Sequence, residues 1–258
     1  MNSGRWWGRA AIACCTVLVV VAGAFMLFRV TAPSRLSLPN PSRPTSSSAS
    51  PSAPSDPLLQ ACVVPRQRTA GRSPAGLWMI ATGSQAGYRA REKWAQLPSP
   101  HEAVARTDRV AGWLSVGGEG AAWRVEGGCF AVDLRELQSV DTVPGQTMSD
   151  RDENVRGFLD TDHHPTARYV PHPIGLLEAF VNGQVTRMDI PGDIEVKGIR
   201  RPATANIEIR YDGESTSVAG SLPVIAEDHG IELPKAADFV SVDSRIVVEF
   251  ALVLRRLE

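Results

Sequence analysis

Asp160, Asp162, His163 and His164 fall in one acidic run that ends at Pro165, and carboxylates beside imidazoles are the side chains that hold a divalent metal or exchange protons. Adjacent histidines on a turn point in different directions, and the sequence has no other dense His, Cys or Asp group to complete a shell. Structural or solvent-facing roles are therefore expected for this run, and His172 and His229 stand isolated. Upstream, Arg151 or Arg156 could meet a pyrophosphate or quinone head group, and Arg151 could instead pair with Asp152. Charged residues on a short exposed helix more often form a solvated face. There is no Gly-x-Ser-x-Gly elbow and no glycine-rich phosphate loop with a lysine, and Ser115 and Ser221 lack a His and an acid at useful spacing. The sequence is read as a non-enzyme, with no catalytic residue, metal or cofactor.

A helix must position the arginines. Ser149 or Asp150 can cap its N-terminus, with Asp152 and Glu153 near the positive end of the dipole. Val155, Phe158 and Leu159 then share one apolar face. The Asp-Thr-Asp-His-His-Pro run at 160–165 is expected to end the helix, because the residue before proline is excluded from helical dihedrals, and 166–170 can resume as a strand.

The rest of the region after residue 59 alternates with a period of two. Ser84, Ala86, Tyr88 and Ala90 face one way, with Gln85, Arg89 and Arg91 opposite. Ile246, Val248, Phe250, Leu252 and Leu254 alternate with charged residues in the longest clean strand. Further strands are expected over 103–107, 110–116, 122–125, 128–134, 193–197, 203–211 and 217–225, with a turn at 117–120. The fold class is all-β: an antiparallel barrel of about eight strands with one short helix.

Before that domain the composition shifts twice. Residues 10–30 are almost wholly apolar, near the roughly 20 residues that cross a bilayer as a helix, after a short tail at 1–9 carrying Trp6 and Trp7. A cleaved signal peptide is the rival, since Ala22-Gly23-Ala24 suits a signal peptidase, but apolar residues continue past it. Arginines flank the span on both sides, so charge alone does not orient it. The short N-terminus and the large domain behind it favour a single-pass cell-membrane protein with an extracytoplasmic domain at 59–258. Residues 31–58, rich in Pro, Ser and Ala, read as a disordered linker. The chain has 258 residues and a formal charge of -1, with 27 Lys+Arg dispersed against 28 Asp+Glu, which sets nucleic acid aside. Cys62 and Cys129 are the domain's cysteines, either a disulfide in an oxidising compartment or two free thiols.

From Trp78 to about Leu254 the chain resembles the YceI-like family. The likeness rests on Trp78-x-Ile80 with Ser84, on Val132-Asp133-Leu134 with Leu137-Gln138-Ser139, and on the Arg151-Asp152 helix with its acidic turn. It continues in residues 192–202 and in Asp228-His229-Gly230-Ile231 with Pro234 before the closing strand. The resemblance implies a lipocalin-like barrel, often a homodimer, whose inward side chains line an apolar tunnel for an isoprenoid lipid such as a polyprenyl phosphate or quinone. Tyr88, Leu114, Phe130, Phe158, Val248 and Phe250 are the candidate lining residues, and Arg151 and Arg156 the candidate head-group contacts. Each lining candidate serves equally as ordinary core. The alternatives are an envelope interaction scaffold with a filled barrel, or a hydrolase or metalloenzyme at Asp160, Asp162, His163 and His164.

Overall fold

The computed structural model describes residues 33–40, 56–65, 74–95, 100–118, 122–234 and 240–257. The apolar span at 10–30, the tail before it and most of the 31–58 linker lie outside the described residues. Among the described residues no helix is long and apolar enough to cross a membrane.

One antiparallel sheet closes on itself. Its strands are β1 (Gly76–Ile80), β2 (Gln85–Trp94), β3 (His101–Thr107), β4 (Val110–Gly117), β5 (Arg124–Asp133), β6 (Gln138–Ser139) and β7 (Thr166–Pro171). They continue as β8 (Ile174–Gly175), β9 (Thr186–Val196), β10 (Ile199–Tyr211), β11 (Ser215–Ile225), β12 (Val240–Val242) and β13 (Arg245–Arg256). The ring runs β1-β4-β5-β7-β9-β10-β11-β13 and returns to β1, an eight-strand barrel. β13 continues alongside β2, and β2 alongside β3, so β1 with β2 and β3 with β4 act as two long interrupted strands. Closure leaves the ring no unpaired edge.

The interruption between β1 and β2 is built by Ser84. Ile80 pairs with Leu254 and Gln85 with Ala251, so the residues between them outnumber their partners and the strand bulges. The Ser84 hydroxyl donates to the Ala81 carbonyl (2.8 Å) and accepts from the Val253 amide (2.9 Å), standing in for the missing ladder bond. Ser84 therefore lies in the bulge rather than in the strand the alternation assigns it to. Between β9 and β10, Lys197 (φ 51°) and Gly198 (φ 72°) make a two-residue hairpin turn with positive φ at both positions, the geometry that matches strand twist.

Among the described residues three short α-helices accompany the barrel: α1 (Pro57–Ala61), α2 (Met148–Leu159) and α3 (Glu178–Val181). α2 starts earlier than expected, with Thr147 at its cap position and no side-chain cap bond, so Ser149 and Asp150 sit inside the first turn. It stops at Leu159, directly before the acidic run at 160–165. Asp160 adopts the left-handed conformation (φ 52°), and its amide closes back on Arg156 and Gly157, which ends the helix without the proline. The Asp152 carboxylate accepts from the Ser139 amide (3.0 Å) and from its hydroxyl. Lys197 Nζ donates to the Phe158 and Gly230 carbonyls (3.3 and 3.1 Å), fixing the other end of α2 across the mouth of the barrel.

The outer wall carries two docked segments. Leu58 of α1 is buried against Cys129 and Ala131, and a disulfide joins Cys62 to Cys129 with their Cα atoms 5.5 Å apart. Asp56 caps α1 by accepting from the Leu58 amide (2.9 Å) and pairs with Arg109 (2.8 Å). The Ser34 carbonyl accepts from Arg89 (2.7 Å) and from Arg106. Both arginines also grip Glu249, which is 2% exposed although it points away from the barrel interior.

Candidate ligand cavity

Even-numbered residues of β2 and β13 turn inward, and they do not fill the barrel. The interior holds a cavity of about 390 Å³, within the roughly 300–1,000 Å³ of small-molecule sites. Tyr88, Leu114, Phe130, Phe158, Val248 and Phe250 all stand on its wall. The wall joins two apolar clusters, one around Leu222, Ile194 and Ile231 and one around Trp78, Val218 and Leu254, with Met188, Ile207 and Phe250 packed against both.

The two ends differ. One is packed with aromatic rings: Trp78 meets Tyr211 edge-on at 5.9 Å, and Phe180 of α3 packs on Tyr211 at 5.7 Å. Trp78 Nε1 donates to the Pro74 carbonyl (2.9 Å) and the Tyr211 hydroxyl to that of Gly213 (3.1 Å), so the aromatic polar atoms are satisfied away from the lumen. At the other end Gln146, Thr147, Asp150 and Asn154 line the cavity while remaining exposed, which places the opening beside the N-terminal half of α2. The apolar face read from the sequence, Val155, Phe158 and Leu159, looks into the cavity.

A polar cluster sits at that opening. Arg151 is 8% exposed, and its Nη1 donates to Asp141 Oδ2 at 2.8 Å while Nη2 bonds Oδ1 of the same carboxylate. Its Nε donates to Ser139 Oγ (3.1 Å), and Glu92 Oε2 lies 3.7 Å from Nη1. Arg151 and Asp152 thus engage different partners. Asp141 also receives His101 Nε2 (2.6 Å) and the Val104 amide (2.8 Å). Burial works against the Asp141 carboxylate, but the bonds from His101, Arg151 and Val104 overcome it and hold its pKa below the usual carboxylate range. At Glu92 burial wins: its pKa is raised despite nearby Arg151 and the hydrogen bond from Trp94 Nε1 (2.9 Å). Burial also pushes the Tyr88 phenol up. Tyr169, whose hydroxyl donates to the Ile190 carbonyl (2.6 Å), is pushed up to about 12 by burial.

Arg156 is half-buried and stands off the cavity wall. His163 donates to the Asp160 carboxylate (2.7 Å) in the exposed turn after α2, and Asp162 is exposed. Among the described residues no three His, Cys, Asp or Glu side chains are arranged to hold a metal ion. His172 pairs with Asp193 (3.2 Å), and buried His229 donates to the Ile199 carbonyl (2.9 Å). Sequence reasoning missed Glu92, Trp94, His101 and Asp141. Extending the inward register Ala86, Tyr88, Ala90 by two more steps would have reached Glu92 and Trp94, whereas Asp141 follows a two-residue strand that has no periodic signal.

The family model of the YceI-like domain matches residues 92–254, and the chain belongs to that family. No curated protein matches the sequence. Among solved structures, a polyisoprenoid binding domain from Saccharophagus degradans implicated in plant cell wall breakdown is similar at 16% identity and a TM-score of 0.50. That match covers 70% of this chain and 98% of the other. BcnA of Burkholderia cenocepacia is 16% identical with a TM-score of 0.48, covering 66% of this chain and 95% of its own.

Proposed function

We propose that this chain is a non-catalytic carrier that holds one long isoprenoid lipid, of the polyprenyl phosphate or quinone kind, in the barrel cavity. The observation that carries the reading is the unfilled apolar interior, with Trp78, Tyr211 and Phe180 packed together at one end and exposed lining residues beside α2 at the other. Burial supplies the affinity: each methylene removed from water contributes about 0.8 kcal/mol, so a chain-like guest needs few polar contacts. Membership of the YceI-like family and the likeness to a polyisoprenoid binding domain support the choice of an isoprenoid. The apolar stretch at 10–30 supports a membrane tether, and the Cys62–Cys129 disulfide favours an oxidising, extracytoplasmic setting for the barrel. A filled scaffold is disfavoured by the cavity itself.

The test is a binding titration of the full chain with a long-chain polyprenyl lipid, followed through the fluorescence of Trp78 and Trp94 on the cavity wall. Saturable quenching that is lost in Met188→Trp, which fills the middle of the cavity, is the expected result. Equal binding by the filled variant would place the lipid elsewhere.

A further inference from the structure

We infer that the outer face of β2 and β13, beside the docked Ser34, rests on an anionic lipid surface, so that the barrel works against its own membrane instead of ranging away from it. The inference rests on the membrane-tether reading of residues 10–30 and adds the face that the barrel turns to the bilayer. The apolar stretch ends at Val30, and four residues later the Ser34 carbonyl is held on the outer wall by Arg89 (2.7 Å) and Arg106. Four extended residues span at most about 14 Å. A linker pinned so early cannot lift the barrel by the full length of its Pro, Ser and Ala run. The face that carries Ser34 is therefore the one within reach of the lipid head groups.

That face carries unbalanced positive charge. Arg89 and Arg106 are matched by Glu249, and Arg89 also by Glu102 (2.9 Å). Around them Arg35, next to Ser34, Arg91 and Lys93 of β2, and Arg245 at the start of β13 are exposed. None of these four pairs its charged group with a carboxylate among the described residues. The register gathers them: Val247 stands opposite Arg89, so Arg245 and Arg91 lie two residues further along their strands toward the same end, with the same outward parity. Asp243, whose Oδ1 accepts from the Arg245 amide (2.9 Å), is the carboxylate left to oppose them among the described residues of this face. Each Lys or Arg near an anionic membrane surface strengthens attachment about fivefold. Arg91 and Lys93 alternate along β2 with Glu92 and Trp94, which line the cavity, so the basic face is the outer side of the cavity wall itself.

The experiment reconstitutes the full chain into vesicles of phosphatidylcholine alone and of phosphatidylcholine mixed with phosphatidylglycerol. Acetylation of Lys93 by a membrane-impermeant reagent is followed by mass spectrometry, with Lys197 in the β9–β10 turn as the internal reference. Lys93 should react at least about fivefold more slowly on the mixed vesicles, and the difference should vanish at high salt, where the Debye length shrinks to about 3 Å. The double variant Arg91→Gln with Arg245→Gln alters two exposed side chains and should restore the phosphatidylcholine rate at Lys93 with an unchanged melting temperature. Equal Lys93 rates on the two vesicles, or protection that the double variant keeps, overturns the inference while the tether stands. Protection on both vesicles that grows with protein density assigns the face to a second copy and overturns it too. A chain that floats with neither vesicle removes the tether and the inference together.

Discussion

Arg151 and Asp141 form a buried two-bond ion pair between α2 and the loop after β6, at the point where the barrel opens. The pair anchors α2 across the mouth, and the helix in turn supplies Val155, Phe158 and Leu159 to the cavity wall. One electrostatic contact thus sets the shape of an apolar space.

Asp141→Asn removes the charge that Arg151 is paired with and leaves a buried guanidinium undercompensated. Loss of one partner of a buried pair costs about 3–5 kcal/mol, and chemical denaturation should show a fall at the lower end of that range, since Ser139 and Glu92 remain. The acid limb should change as well. The folded pKa of Asp141 is depressed, so its stabilisation is present above the unfolded carboxylate pKa of about 3.9 and is lost as pH falls toward the lower folded value. The variant should lose stability less steeply on acidification than the parent, and parallel acid limbs would contradict this.

Glu92 has the opposite sign. Its folded pKa is raised, so its contribution is intact below the unfolded value of about 4.3 and is lost as pH rises through the folded one. Glu92→Gln keeps an acceptor for Trp94 Nε1 and should raise the melting temperature at pH 8 while changing little at pH 4. A lower melting temperature at pH 8 would show that the glutamate's attraction to Arg151 outweighs its burial.

The Cys62–Cys129 bond closes a loop with a sequence separation of 67, for which loop-closure entropy predicts about 4 kcal/mol of stabilisation. Reduction, or replacement of both cysteines by serine, should lower stability by an amount of that order and free α1 from the wall. Thiol labelling without reductant should leave both cysteines unmodified, and ready labelling of Cys62 would contradict the bridge.

Glu249 joins Arg89 and Arg106 under the Ser34 carbonyl on the outer wall. Glu249→Ala should cost about 3 kcal/mol in denaturation, because two partly buried guanidinium groups lose a shared carboxylate. It should also make residues 33–40 more sensitive to protease. Unchanged proteolysis there would separate the ion-pair network from the docked segment.

Much of the barrel was legible because a wall that faces a cavity on one side and solvent on the other enforces two-residue alternation. Tyr88, Val248 and Phe250 could be placed inward from period alone. Ser84 could not be placed from its parity, because the bulge shifts the register there and a local hydroxyl repairs it. The acidic run at 160–165 marked where α2 ends, but not how: Asp160 ends the helix through its own left-handed backbone, a choice that sequence favours only weakly outside glycine and asparagine. The site's polar half was the least visible. His101, Asp141 and Arg151 converge from separate elements, and periodicity within a strand says nothing about contacts among them.

The most direct measurement is mass spectrometry of lipid extracted from the purified full chain. The account predicts a polyprenyl lipid approaching one molecule per barrel, displaced in the Met188→Trp variant. Parent protein that carries no polyprenyl lipid, or a filled variant that carries as much as the parent, would contradict it.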